Sequence, residues 1–328
     1  MKITATIERW PLRKPFRISR REVAESAVLH VRVEADGASG QGEAAGASYK
    51  GETVESMAAE VASLAARLEG PLTREALAGL LPASGARNAL DCALWDLELS
   101  RAGTTIWDRL GLRPAPVETA YTIGLDTREA MIADALQAEG RTLLKLKIDR
   151  SDPAGTLRAL KAARPDARFI VDANEALTAR TLSELLPDFA RAGVVLIEQP
   201  LPRGEDEALE QIRSPIPLCA DESCQTREGL KTLARRYQLV NIKLDKTGGL
   251  TEALALAGAA RELGLGIMVG CMLGTSLAMA PAFVLAQGAR FVDLDGPLLL
   301  ARDRAPAIPY AGGRMGPLPA GLWGHPAI

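Results

Sequence analysis

The sequence predicts an α/β protein in which a closed barrel of the (β/α)8 type follows a small α+β domain. Three observations carry that prediction. The first hundred residues alternate apolar and polar positions and then change to helical periodicity. From about residue 114, short apolar runs recur about every 25 residues with helical segments between them. Nearly every one of those runs ends in charge, and barrels of this type place their chemistry at the C-terminal ends of the strands.

The elements follow in order. ITATIERWPL and AVLHVRVEADGASGQGEAAG alternate as strands do, with Asp36-Gly37 as the turn. GETVESMAAEVASLAARLEG, LTREALAGLLP and GARNALDCALWDLELSRAG read as helices. In the last of them Leu90, Leu94 and Leu97 share a face and Gly103 supplies the stop. The later strands are VETAYTIG, TLLKLKID, ARFIVDAN, VVLIEQP, PLCADES, LVNIKLDK, GIMVGCM and FVDLDGP. Strands alternating with helices imply parallel βαβ units, and eight evenly spaced units close on themselves. An open doubly wound sheet is the competing architecture, but no GxGxxG follows an early strand. Gly248-Gly249 precedes a helix and reads as a tight turn rather than a phosphate loop.

Composition narrows the function. The 39 basic and 41 acidic residues of the 328-residue chain nearly cancel. A nucleic-acid partner would call for a basic excess. There is no long apolar run and no signal peptide, so a soluble, cytoplasmic protein is expected, away from membranes. Cys92, Cys219, Cys224 and Cys271 show no CxxC spacing and read as buried reduced thiols. With only His30 and His325 available, proton transfer must fall to Lys, Asp, Glu, Tyr or Cys.

Asp172, Glu198 and Asp221 close three successive strands, whose ends lie ~4.8 Å apart. Carboxylates that close repel unless a cation or protons intervene. Oxygen-only ligands point to Mg²⁺ first and Mn²⁺ second. The alternative is that each acid caps the helix after it. In LLKLKID, residues 143–149, side chains two apart share a face, which puts Lys145 and Lys147 together at the edge of this pocket. Lys243 faces them from the sixth strand. Burial, a second ammonium and a divalent cation would each lower a lysine from about 10.4 toward the useful range of about 7–8. Bases on opposite sides of a carbon acid suit stereochemical inversion. The alternative is that all three are surface lysines. Lys246, of opposite parity to Lys243, is expected to be a solvated surface residue.

The motifs KLK (145–147), VDAN (171–174), EQP (198–200), ADES (220–223), NIKLDKTGG (241–249) and DLDGP (293–297), with GARNALDCALWDLE before them, resemble the enolase superfamily. Within it they resemble the muconate-lactonizing-enzyme subgroup, and more narrowly the dipeptide epimerases of the L-Ala-D/L-Glu type. The resemblance implies a (β/α)7β TIM-like barrel over residues 114–300. An α+β capping domain would comprise residues 1–113, with residues 301–328 returning to it. Asp172, Glu198 and Asp221 would match the family's Mg²⁺ ligands. Lys147 and Lys243 would match its acid/base pair, with Lys145 as electrostatic neighbour. Asp293 and Asp295 would match the residues that hold a dipeptide's α-ammonium group, although Asp-Gly-Pro is also a strong turn former. The implied reaction is removal of the proton α to the C-terminal carboxylate, through an enediolate whose charge the metal stabilises.

Family members acting on Ala-Glu use an arginine in the loop after the first strand. Here ISRREVAES (18–26) offers Arg20 and Arg21, and Val23 occupies the aligned position. Cys271, Met272 and Thr275 are expected to shape the pocket. Cycloisomerase, o-succinylbenzoate synthase and N-acylamino acid racemase chemistry share the lysines and metal acids, and remain alternatives. A non-catalytic barrel binding an acidic metabolite is the alternative of a different class. A homo-oligomer is left open.

Overall fold

The computed structural model describes residues 1–18, 21–149 and 151–324. Strands β1 (Lys2–Ile18), β2 (Arg21–Ala35) and β3 (Ala38–Ala44) form an antiparallel sheet in that order. The β2–β3 turn is Asp36-Gly37, both at positive φ (53° and 79°), a conformation that Asp and Gly tolerate. Helices α1 (Val54–Arg67), α2 (Arg74–Leu80) and α3 (Gly85–Ala102) cover one face. Thr53, Thr73 and Ser84 cap their N-termini, and Gly103 (φ 58°) ends α3. Leu29, Val31 and Val33 pack there against Met57, Val61, Leu90 and Leu94.

Two glycines let β3 lie directly on α3. A Cβ at Gly42 would land on the Ala89 carbonyl and crowd the Ala93 nitrogen, backbone atoms that cannot swing away. Gly42→Ala is therefore expected to cost about 1–3 kcal/mol as overpacking, read as a lower urea midpoint at unchanged m-value. A midpoint equal to wild type would show that the sheet can lift off the helix.

After α4 (Ile106–Leu110) and the short strand β4 (Val117–Glu118) comes the barrel. Its strands are β5 (Tyr121–Ile123), β6 (Leu143–Lys147), β7 (Arg168–Asp172), β8 (Val194–Glu198), β9 (Leu218–Ala220), β10 (Leu239–Ile242), β11 (Gly266–Gly270) and β12 (Phe291–Asp293). Each pairs in parallel with the next, and the ring closes where the Ala120 N–H donates to the Val292 carbonyl (2.8 Å). Helices α5 (Arg128–Gln137), α6 (Pro153–Ala163) and α7 (Ala179–Arg191) follow the first three strands, and a 3-10 turn at Asp206–Gln211 follows β8. Then come α8 (Leu230–Arg236), the single turn α9 (Leu244–Thr247), α10 (Leu250–Glu262), α11 (Ser276–Ala286) and α12 (Gly296–Leu299). Gly248 and Gly249, at φ 72° and 119°, make the turn between α9 and α10.

Strand alternation sorts the barrel into layers. Ala120, Leu143, Ile170, Leu196, Cys219, Leu239, Met268 and Phe291 form one apolar cluster inside the ring. Two residues further along come Lys145, Asp172, Glu198, Asp221, Asn241, Gly270 and Asp293, on the same inward face. The intervening residues, such as Leu144, Leu146, Phe169 and Val171, face the helices.

Past α12 the chain adds β13 (Tyr310–Ala311) and β14 (Arg314–Met315), the latter pairing with β4. It then reaches the N-terminal unit, where Trp323 Nε1 donates to the Cys92 carbonyl (3.0 Å) and the Gly324 N–H to Asp96 Oδ1 (2.8 Å). No helix among the described residues is long and apolar enough to cross a membrane. All four cysteines are free thiols.

Candidate active site

The inward positions at the strand ends form a buried ionic layer. Lys145, on β6, is 2% exposed. Its ammonium donates to Asp293 Oδ2 (2.7 Å) and lies 3.0 Å from Asp172 Oδ2 and 2.8 Å from Glu198 Oε2. Lys147, one step nearer the mouth, donates to Asp172 Oδ2 (2.5 Å) and Asn174 Oδ1 (3.0 Å). Lys243 follows β10 and donates to Asp221 Oδ2 (2.8 Å). In an eight-strand ring β6 and β10 stand diametrically opposed, so Lys147 and Lys243 flank the mouth from opposite sides.

Gly270 on β11 makes room for that arrangement. A Cβ there would sit 2.7 Å from Asn241 Oδ1 and 3.0 Å from Lys243 Cε. Asn241 in turn donates to Glu198 Oε1 (2.8 Å). Gln199, held at φ 34°, accepts from the Asp221 and Ser223 N–H groups (2.9 and 3.0 Å) and sets the turn after β9.

The charges balance unevenly. Burial alone would push the Lys145 ammonium down, but Asp172, Asp293 and Glu198 outweigh it and hold it well above the ordinary lysine value. Lys243 is held up in the same way by Asp221 and Glu198. The expected lowering by burial and a second ammonium is thus reversed for both, because each faces more carboxylates than amines. Burial also opposes ionisation of Asp172 and Asp221, yet the lysines hold both below the usual carboxylate range. Burial and the neighbouring acids raise Glu198, Glu222 and Asp295 to about 7 each. Six buried carboxylates (these three with Asp172, Asp221 and Asp293) face the four buried lysines 145, 147, 243 and 246. The formal excess of two negative charges matches one divalent cation or two protons.

A cavity of about 750 Å³ opens above this layer. Its floor includes Lys145, Lys147, Asp221, Lys243, Asp293 and Asp295, and Asp172 and Glu198 lie fully buried beneath it. The N-terminal unit roofs it with Val23, Ser26, Gly46 and Tyr49 among others. That roof is docked on the barrel: the Ala45 and Gly46 N–H groups donate to Asp245 Oδ1 (2.9 and 2.7 Å).

Several expectations change here. Lys246 is not a solvated residue: it is 0% exposed and donates to Asp221 and to the Asn241 carbonyl. The helical turn of α9 carries it back under the strand end, so strand parity no longer applies. Thr275 does not line the cavity. Its hydroxyl caps α11 and donates to Glu43 Oε2, while Met272 and Cys271 do line it. Arg20 and the Arg21 side chain lie outside the described residues, whereas Val23 is on the cavity wall. Asp245, one of the charged strand endings, holds the roof rather than the floor. Glu43 and Arg304, which also join the two units, gave no signal in the sequence because they pair with each other from far apart along the chain.

Oxygen-only donors, deeply buried and carrying surplus negative charge, fit a hard divalent ion. Among the described residues no three acidic, histidine or cysteine side chains stand as a closed ion cage. The Lys145 ammonium lies between Asp172 and Glu198 instead.

A barrel with acids and amines on its strand ends, roofed by a separate α+β unit, defines an enzyme of the enolase superfamily. Residues 128–304 match the family described as Enolase C-terminal domain-like, and residues 1–111 match the Mandelate racemase / muconate lactonizing enzyme, N-terminal domain. The chain belongs to the mandelate racemase/muconate lactonizing enzyme family.

It is 46% identical to the L-Ala-D/L-Glu epimerase of Escherichia coli K12 over 311 residues, which span 94% of this chain and 97% of that protein. It is 50% identical over 248 residues to an N-acetyl-D-glutamate racemase of a Pseudoalteromonas species, covering 76% of this chain and 79% of that one. A crystal structure from Agrobacterium tumefaciens, an enolase family member with homology to dipeptide epimerases and bound to sodium and L-Ala-L-Glu, superposes with a TM-score of 0.95. It is 44% identical, over 98% of this chain and 99% of that one.

Proposed function

We propose that this chain is a dipeptide epimerase that inverts the α-carbon of the C-terminal residue, with L-Ala-D/L-Glu or a related dipeptide as substrate. The observation that carries the reading is the placement of Lys147 and Lys243 on opposite flanks of one cavity, each against a buried carboxylate. One lysine, as the free amine, removes the α-proton from its face. The other, as ammonium, delivers a proton to the opposite face, and the roles exchange for the reverse reaction. Asp293 and Asp295 offer negative charge to the α-ammonium group of the first residue. Asp172, Glu198 and Asp221 are the residues that would hold Mg²⁺, or Mn²⁺ in its place. A divalent ion bound there would neutralise the acids that hold Lys243 above the ordinary lysine value and offset the charge developing on the substrate carboxylate.

In this reading residues 114–300 carry the chemistry, residues 1–113 form the capping domain to which residues 301–328 return, and the protein works in the cytoplasm on a small molecule. Incubating a dipeptide library with the enzyme and Mg²⁺ in D₂O should add one mass unit at the α-carbon of the C-terminal residue, with inversion. No incorporation across a broad library would defeat the proposal.

A second reading has its own support. The relative that is 50% identical racemises an N-acylated glutamate, and Asp293 is already engaged by Lys145.

The shape of the pocket adds a further expected result. Gly270→Ala would press on Lys243 and Asn241. A base displaced by even part of an ångström loses alignment, so kcat should fall by about 10²-fold with the fold intact. Unchanged kcat would mean that Lys243 can yield without consequence.

A further inference from the structure

Lys246 has no part in the proton transfers above and does not line the cavity. It is nevertheless wholly buried, an uncommon state for lysine that requires fixed partners. An ammonium group has three N–H donors. Those of Lys246 meet the Asp221 carbonyl (2.6 Å), Asp221 Oδ1 (2.6 Å) and the Asn241 carbonyl (2.8 Å). Two of these acceptors are backbone, so the ammonium cannot move far. The single turn of α9 places it there, with the Lys246 N–H bonded to the Lys243 carbonyl (2.9 Å) and Gly248 ending the turn.

The two oxygens of Asp221 are thereby made unequal. Both accept from a buried ammonium, but Oδ1 is held by Lys246, which two backbone carbonyls fix in place, whereas Oδ2 is held by Lys243, which lines the cavity. A cation that took the place of the Lys243 ammonium would therefore find one Asp221 oxygen, Oδ2, with Oδ1 still committed to Lys246. Mg²⁺ is small, keeps near-octahedral geometry and retains waters, so it is served by single oxygens from separate carboxylates. Ca²⁺ takes about six to eight oxygens and often binds both oxygens of one carboxylate.

We propose that Lys246 is a positioning residue for ion selectivity: by holding Asp221 Oδ1 it restricts Asp221 to one donor oxygen and so favours Mg²⁺ over Ca²⁺. The inference rests on the cation-site reading of Asp172, Glu198 and Asp221. Removing Lys246 also removes a positive charge, which strengthens the binding of both ions alike. The ratio of the two affinities cancels that effect and isolates the geometry.

The test is calorimetric titration of Mg²⁺ and of Ca²⁺ into the chelator-treated full-length protein and its Lys246→Met and Lys246→Gln variants, with folding checked by thermal melts. In Lys246→Met the preference for Mg²⁺ over Ca²⁺ should fall by about tenfold or more. It should fall less in Lys246→Gln, whose amide keeps a donor for Oδ1. Should the methionine variant fail to melt cooperatively, the glutamine variant carries the comparison. If affinities for both ions rise together, with the ratio within about twofold of wild type, Lys246 acts only as charge and the proposal is overturned. Wild-type protein that binds neither ion would instead overturn the cation-site reading, and this inference with it.

Discussion

Replacing Lys147 or Lys243 by alanine should lower epimerisation by about 10²–10⁴-fold, the usual worth of a positioned acid–base group. Each variant should still exchange the α-proton of one stereoisomer with solvent. With Lys147 gone, Lys243 can remove a proton from its own face and return one there, so only the isomer presenting that hydrogen picks up deuterium. The converse holds for Lys243→Ala. Neither variant should unfold, because no carboxylate is left without a cationic neighbour. Asp172 keeps Lys145 when Lys147 is removed, and Asp221 keeps Lys246 when Lys243 is removed. Following each pure stereoisomer separately by mass spectrometry in D₂O makes the comparison. Wild-type exchange of both isomers in either variant would remove that lysine from the reaction.

Asp295→Asn should reduce kcat/KM for dipeptides by about 10²-fold while sparing N-acetylglutamate. Loss of one member of a buried charge pair typically costs at least about 2 kcal/mol. The substitution is mild for the fold. Asp295 Oδ2 accepts the Thr122 N–H at 2.6 Å, and an asparagine oxygen can accept the same bond. Only the charge is lost, and only a substrate with a free ammonium should register it. Burial and Asp293 hold the Asp295 carboxyl up at about 7. The ionised form therefore grows as pH rises through 7, and the KM for dipeptides should fall over that interval. Equal losses for both substrates, or none for the dipeptide, would withdraw the ammonium role and favour the N-acylamino acid reading.

The barrel and most of its ionic layer were legible because a strand repeats every two residues. Once Leu143 is placed inward, Lys145 and Lys147 must follow, and the same step leads from Ile170 to Asp172 and from Leu196 to Glu198. That reasoning stops where the strand stops. Lys246 lies beyond Ile242, in a helical turn whose period is 3.6, so its parity with Lys243 says nothing about where it points. Thr275 failed for a related reason: α11 begins immediately after it, and its hydroxyl is claimed by the first turn.

The electrostatics were less legible still. A sequence shows that Lys145 is near Lys147, but not that ring closure sets Asp293 on β12 across the short strand β5 from it. The Glu43–Arg304 pair, 261 residues apart, is invisible to any local pattern.

The hydrocarbon ring from Ala120 to Phe291 has one more effect. It seals the lower end of the barrel beneath the charges, like an insulating plug behind an electrode. Field lines from the acids and amines cannot be screened by water from below and must leave through the open end. A charged visitor is therefore drawn or turned away along a single axis, before it touches the protein, and either effect should weaken as the salt concentration rises.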